Sequence, residues 1–390
     1  MSIEGKIVIK VVIEASDIKK VLISSSRPLH ITQLFAGQSI QKVATTLDAL
    51  YQLCNTAHRF AFLHLLDKCK VISLSKNEIM ACQLLLDLET IREHCFSIAT
   101  KWRIDDSNKI NKNIVDLFAT LREINTTLFL TGNPLSLEKK TLQPFSGINS
   151  LVAKLEQQLM LELVGEQFHS ETILSNSENF EYWIKTQSSD CALFLHNIQQ
   201  SQSSGLGSVD SLFLPNITTE EIITLLNDDG FIGQPTYKNI CYETTPYSRQ
   251  KKHPLIQKLS AKYGNGVLSR YASQLLEIFE LLKGVKHNYV NLYSEDIHYD
   301  INTSTVVNTA VVEVEAARGK LMHSLTIQGE EIKSYRILSP TQWNFHPQGV
   351  LKQMIQSLDF QNKQDLVNKI TLLTNAIDPC VGYTIEINNA

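Results

Sequence analysis

The sequence predicts an α+β fold, mainly α, with small sheets near the N-terminus and around residues 305–338. Apolar residues recur at three- and four-residue steps in long stretches of the first and last parts of the chain, as one buried helix face requires, while the middle is less clearly patterned. Strict alternation is confined to residues 6–14 and to the region from 305 to 338. Glycine (16) and proline (10) are sparse in 390 residues, which disfavours an all-β protein built on tight turns. The chain reads as a single body over residues 1–390.

The elements follow in order. Ile7, Ile9, Val11 and Ile13 share one face of a strand, with Lys6, Lys10 and Glu14 on the other. Val21–Ser24 pairs with it. From Ser39 a helical stripe runs through Val43, Leu47, Leu50, Cys54, Ala57 and His58 to Leu65, with a possible break between Tyr51 and Asn55. Helices are predicted over Lys76–Trp102, Asn113–Thr127 and Gly147–Leu163. Gln200–Ser208 (QSQSSGLGS) reads as a flexible loop. Thr218 or Thr219 caps a helix running to Asn227, ahead of Glu220 and Glu221. Pro254–Tyr263 and Val267–Leu282 are helical. Thr305–Glu315 alternates, and Lys320–Ile327 and Glu331–Leu338 form a hairpin about Gly329. Pro347–Leu358 and Asp365–Asn375 close the helical body.

Composition excludes several function classes. The net charge of -4 gives no electrostatic case for nucleic acid. No apolar run is long enough to span a membrane, and the first residues lack the pattern of a signal peptide. The seven cysteines (54, 69, 82, 95, 191, 241 and 380) are odd in number and contain no CxxC, which argues against a disulfide framework or a zinc knuckle. A cytoplasmic protein with reduced thiols is the expectation. Serine-hydrolase, P-loop, zincin and dinucleotide-binding motifs are missing.

Three local features could carry chemistry. Cys54 and His58, four apart on a helix, share a face and suit a soft metal; a buried thiol beside a hydrogen-bonded histidine gives the same pattern. Asp378-Pro379-Cys380 has the form of a helix start, with Asp as cap and Pro in the first position. A cysteine there would meet the positive end of backbone dipoles and favour thiolate, although an ordinary turn is the alternative. Glu315-Ala316-Ala317-Arg318-Gly319 joins two strands. Gly319 permits an unusual backbone angle or a close approach, and Arg318 either faces a bound anion or lies on the surface.

Taken together, Glu4-Gly5-Lys6, Cys54 to His58, EAARG, Ser339-Pro340-Thr341-Gln342-Trp343-Asn344 and Asp378-Pro379-Cys380 resemble, in order, the large subunits of nickel–iron hydrogenases. Tyr242-Glu243-Thr244-Thr245-Pro246-Tyr247-Ser248-Arg249 is similar to a further segment of that family. The resemblance covers essentially the whole chain and implies a helical α+β body whose two ends meet at a buried metal centre.

The departures are informative. The family carries CxxCxxxH near its start and DPCxxCxxH at its end. Here Tyr51 stands at the first cysteine of the first motif. Tyr383 replaces the second cysteine of the last motif, and Glu386 stands where histidine is expected. Phenols are hard and protonated near neutral pH, so a four-thiolate nickel–iron centre is not expected and nickel is not implied. Two thiolates still suit an iron fragment bearing cyanide and carbon monoxide.

That pattern is similar to hydrogenase maturation scaffolds of the HupK/HoxV type, as are Leu53-Cys54-Asn55-Thr56-Ala57-His58, Glu89-Thr90-Ile91-Arg92-Glu93-His94, and a chain end with no peptide left for a protease to remove. The resemblance implies a non-catalytic protein that takes the iron fragment from a small hydrogenase maturation chaperone and passes it to the apo large subunit. It implies Cys54 as the first iron ligand and Cys380 as a second. Arg318 would lie over the diatomic ligands, with Pro340 and Thr341 beside a cyanide. His58 would hydrogen-bond near the thiolate, and Glu4 matches a glutamate of proton transfer. Two other readings remain open: a divergent large-subunit-like redox enzyme, drawing ligands from cysteines otherwise read as core thiols, and a metal-free structural partner of a hydrogenase.

Overall fold

The computed structural model describes residues 5–102, 113–301 and 306–390. Glu4 and Thr305 lie outside these. Strand β1 (Ile7–Glu14) buries Ile7, Ile9, Val11 and Ile13 and exposes Lys10 and Glu14, so alternation sets its pleat as expected. β2 (Asp17–Ser25) returns antiparallel to it.

The helical run, whose continuity the sequence left open, does break between Leu50 and Asn55. α1 (Ile40–Leu50) ends as Tyr51 leaves helical geometry, and α2 (Asn55–Lys68) begins directly after Cys54. α3 (Lys76–Lys101) is started by Ser75, whose hydroxyl accepts from Glu78 N–H at 3.0 Å. α4 (Asn113–Thr127) has the predicted limits. The helix after Gly147 runs as Ile148–Gln158 and finishes in a π-turn over Leu159–Val164. Thr218 and Glu221 form a complete capping box at the head of Thr219–Leu226. The loop at 200–208 follows the helix Asp190–Gln200. Val267 N–H donates to Leu206 O at 3.0 Å and Leu268 N–H to Ser204 O at 3.2 Å, which ties it to the next long helix.

That helix, α5 (Val267–Tyr289), extends past the predicted end at Leu282 and packs along α3. Three antiparallel strands follow: β3 (Val307–Ala316), β4 (Gly319–Gln328) and β5 (Glu331–Leu338), in the order β3-β4-β5. The helix predicted over Pro347–Leu358 is shorter, Val350–Gln356, because residues 347–349 form the turn that leads into it. α6 (Lys363–Ile377) is longer than predicted and is capped by Asn362.

The chain then forms a strand that the sequence reading did not place. β6 (Tyr383–Asn389) pairs in parallel with β1, from Ile7 opposite Tyr383 to Ile13 opposite Asn389, giving the order β6-β1-β2. The two ends of the described chain thus share one sheet. A continuous apolar core extends from Ile7 to Ile377, and a smaller cluster gathers Ile222, Leu226 and Phe231 around Trp343. No helix among the described residues is long and apolar enough to cross a membrane.

The helix start expected at Asp378 is corrected. Asp378 is the C-cap of α6, in the left-handed region at φ 60°, and no helix begins at Pro379. Proline disfavours helical geometry in the residue before it, so the pair stops a helix here. Cys380 therefore lies in a turn between α6 and β6.

Candidate functional site

Cys54 and Cys380, far apart in sequence, line the same pocket, together with Arg27, Pro28 and Tyr51. The loop after β2 supplies Arg27. The α1–α2 junction supplies Tyr51 and Cys54, and the turn before β6 supplies Cys380. Sheet β6-β1-β2 brings the first and last of these segments together. Both cysteines are free and only half-buried.

One side of α3 aligns the two cysteine segments. Glu89, Glu93, Ser97 and Lys101 recur every four residues, a spacing that keeps side chains on one slowly turning helix face. The Glu89 carboxylate accepts from Thr56 N–H at 2.8 Å and Ala57 N–H at 3.1 Å, capping α2 just behind Cys54. Glu93 accepts from Arg318 at 3.0 Å. Ser97 donates to Asp378 at 3.0 Å, and Lys101 donates to the same carboxylate and to Pro379 O at 3.1 Å. Arg92 adds a bond to Leu53 O at 2.6 Å and an ion pair with Glu93 at 2.9 Å.

The electrostatics reverse one expectation. It is Cys54 that sits at a helix N-terminus, while Cys380 does not. Glu89 already occupies the two N–H groups that would favour a thiolate there. Burial, and then the charges of Glu89 and Cys380, push the Cys54 thiol up, against opposition from Arg27 and Arg318. Burial also raises Glu89, to about 7, against the hydrogen bonds from Thr56 and Ala57. The Tyr51 phenol is raised mainly by burial and so stays protonated.

Arg318 occupies the two-residue turn between β3 and β4 and is buried. Its guanidinium pairs with Glu93 at 3.0 Å and Asp378 at 3.4 Å. Those carboxylates hold its pKa up against burial, and Arg318 and Lys101 in turn hold Asp378 down against burial. The reading of Arg318 as a surface residue is thereby excluded. Asn344 braces the turn: its amide donates to Arg318 O at 3.0 Å while its oxygen accepts from Thr244 N–H at 2.8 Å. Arg249 contributes through Ala317 O at 3.0 Å and a paired contact with Glu277 at 2.6 Å through both Nε and Nη2. His94 meets Glu277 from the other side at 2.7 Å. Burial alone would raise Glu277, but Arg249 and then His94 hold it down to about 2.

Gly319 combines both features expected of it. It has φ +131°, and a Cβ there would lie 2.1 Å from Thr244 O. Gly319→Ala is therefore expected to cost at least about 3 kcal/mol, through overpacking and backbone strain together. Urea denaturation checks this; a loss below about 1 kcal/mol would contradict the close approach.

The remaining predicted site residues divide clearly. Pro340 and Thr341 open the short helix Pro340–Asn344, which Ser339 and Gln342 cap. Thr341 Oγ1 lies 3.2 Å from Cys380 Sγ, so its hydroxyl serves the cysteine directly. His58 makes its side-chain hydrogen bond to His323, Nδ1 to Nε2 at 2.9 Å, and not to a thiol. Its ring stacks on Tyr51 with centroids 3.7 Å apart, at the pocket wall. His323 continues to Tyr335 OH at 2.7 Å. Tyr383 turns away from the pocket and donates to Asn375 Oδ1 at 2.8 Å, while Glu386 makes an exposed ion pair with Lys10 at 3.0 Å. Glu4 falls outside the described residues. Cys69, Cys82, Cys95 and Cys191 are buried as expected, whereas Cys241 is half-buried, 3.2 Å from His346 Nδ1.

Sequence reasoning missed Arg27 and His323. Arg27 carries no local motif: its Nη1 donates to Ser339 Oγ at 3.0 Å and lies 4.0 Å from Cys380 Sγ, contacts that only the fold creates. His323 is one of several lone histidines in sequence, and its partner is 265 residues away. No group of three or more His, Cys, Asp or Glu side chains placed to hold a metal ion occurs among the described residues. The pocket itself offers two soft thiols beside a fixed positive charge.

This helical α+β body has the fold of nickel–iron hydrogenase large subunits. The [NiFeSe] hydrogenase of Desulfomicrobium baculatum superimposes with a TM-score of 0.67 over 94% of each chain at 12% identity. That of Desulfovibrio vulgaris Hildenborough gives 0.65 over 95% of each chain, also at 12% identity. The family model for nickel-dependent hydrogenases matches residues 256–383. Among curated proteins, the hydrogenase expression/formation protein HupK of Bradyrhizobium diazoefficiens is 22% identical over 100% of this chain and 99% of its own length. The hydrogenase expression/formation protein HoxV of Cupriavidus necator is 46% identical over 76 residues, 18% of this chain and 20% of that protein.

Proposed function

We propose that the protein is a hydrogenase maturation scaffold that carries an iron fragment bearing cyanide and carbon monoxide and delivers it to the apo large subunit. A small maturation chaperone supplies the fragment, and the exchange takes place in the cytoplasm. The observation that carries this reading is the pairing of Cys54 with Cys380 in one pocket, while the two other family cysteine positions hold Tyr51 and Tyr383. A pocket with two thiols leaves the iron's remaining positions to the diatomic ligands it brings. Tyr51 fills the pocket wall with a protonated phenol, a poor ligand for a soft metal. The full-length likeness to a hydrogenase expression/formation protein supports the same role. The protein is on this reading not an enzyme, and nickel is not part of its cargo.

Cys54 sits at the head of α2 and Cys380 beside Thr341, so each thiol is anchored by a different element. Loading requires Cys54 to release its proton to solvent as the cargo iron takes its place on sulfur, because burial disfavours free thiolate there. A site with two thiolates binds less firmly than one with four, which suits a carrier that must release what it holds.

Protein purified without oxygen from cells expressing the maturation system is expected to contain iron, little nickel, and infrared bands of cyanide and carbonyl. Cys54→Ala is expected to lose those bands at least about tenfold, as loss of one of two protein ligands implies. Stoichiometric nickel with hydrogen uptake would favour a redox enzyme instead. Absence of metal and bands in every preparation would favour a metal-free structural partner.

A further inference from the structure

The pocket has two arginines within electrostatic reach of the cysteines, and they differ in how their charge is used. Arg318 is committed to two carboxylates, Glu93 at 3.0 Å and Asp378 at 3.4 Å. Arg27 lines the pocket itself, and among the described residues no carboxylate lies within 4.0 Å of its guanidinium. Its neighbours include the Ser339 hydroxyl at 3.0 Å, Cys380 Sγ at 4.0 Å and the Tyr51 ring, whose centroid is 5.7 Å away.

The backbone that presents Arg27 is pinned. Ser26 N–H donates to Lys6 O at 2.9 Å and Lys6 N–H to Ser26 Oγ at 2.9 Å. Arg27 N–H donates to Ser25 Oγ at 3.2 Å. Gly5 lies so close that a Cβ on it would meet Arg27 Cα at 2.6 Å. With its backbone fixed and its Nη1 held by Ser339, the guanidinium is positioned before any ligand arrives, which limits the ordering cost of binding. A guanidinium carries five N–H donors and stays charged at every working pH.

We propose that Arg27, rather than Arg318, is the residue that grips the anionic face of what this pocket binds: a small linear anion, or the cyanide nitrogen of a metal-bound fragment. The inference deepens the scaffold reading and rests on it for the identity of the cargo. It also gives the cargo an orientation. Cyanide nitrogen is a strong hydrogen-bond acceptor and points at Arg27, while carbon monoxide, a weak acceptor, faces the apolar wall.

Thiocyanate is a suitable probe, because it is a linear anion with a distinct C≡N stretch. Titrated into the full chain without metal, it is expected to give a saturable bound band that weakens at least about tenfold in Arg27→Gln. Arg27→Lys, which keeps the charge, is expected to retain binding with a shifted band, and it serves as the test if Arg27→Gln fails to fold. Equal affinity in Arg27→Gln, no shift in Arg27→Lys, or no saturable band in the wild type overturns the inference. In protein loaded in cells, Arg27→Lys is expected to move the cyanide bands more than the carbonyl band. If the loaded wild type has no cyanide bands, the scaffold reading fails, while the thiocyanate titration still decides the role of Arg27.

Discussion

Replacing Asp378 with alanine is expected to destabilise the protein by about 3–5 kcal/mol, the range for breaking a buried ion pair from one side. Asp378 is 4% exposed and meets Arg318, Lys101 and Ser97. Removing its carboxylate leaves two cations facing each other across a dry space. Lys101 is partly exposed and can turn to water, but Arg318 is fixed in its turn with only Glu93 to oppose it. Asp378→Asn keeps a polar partner for Ser97 and is expected to lose about half as much. Urea midpoints at constant slope measure both. A loss under about 1 kcal/mol for the alanine variant would show that the ion pairs contribute nothing net. Loss of anchoring should also spread to Cys380, two residues on, so on the proposed scaffold reading the same variant is expected to hold less iron.

The second large effect concerns acid. His323 is fully buried between His58 and Tyr335, and burial lowers its pKa to about 3. In the unfolded chain it titrates near the ordinary histidine value of about 6.5. The folded state therefore resists protonation that the unfolded state accepts. The stability linked to His323 is fully present above pH 6.5 and is lost as pH falls from there toward 3. A shift of this size corresponds to about 5 kcal/mol in all, at roughly 1.4 kcal/mol per pH unit. His58, lowered in the same direction by burial and by His323, adds to it. Glu89 and Asp87 act oppositely: burial raises them to about 7 and about 6, so their protonation on acidification favours the folded state. The comparison that isolates His323 is His323→Gln against wild type. The slope of stability with pH between 6.5 and 4.5 is expected to fall by about one proton in the variant. An unchanged slope would mean that His323 is not the group responsible.

Much of the architecture was legible because it rests on local rules. The alternation at Ile7–Ile13, the cap at Ser75 and the Thr218–Glu221 box each act within a few residues. The closing strand was also visible in principle, since Tyr383, Ile385 and Ile387 alternate with Thr384, Glu386 and Asn388. The resemblance drew attention to missing ligands at Tyr383 and Glu386, and their role in a sheet went unread. Asp378-Pro379 misled for a physical reason: the same pair that opens a helix also stops one, and α6 already occupied the residues before it. At the site, the motifs located Cys54, Cys380, Thr341 and Arg318. They did not reveal which arginine was already neutralised, because Glu93 and Asp378 reach Arg318 from distant parts of the chain. Arg27 sits in a serine-rich loop with no pattern, and its meaning arises only from its neighbours.

The parallel pairing of β6 with β1 also sets a timetable. The segment that carries Cys54 is synthesised long before Cys380, which reaches it only after the long stretch between them has been made. Joining strands so distant in sequence closes the largest loop in the molecule and is among the slower steps of folding. A chain that has not yet formed β6 therefore has Cys54 without Cys380, and on the proposed reading would offer an iron fragment one thiol in place of two.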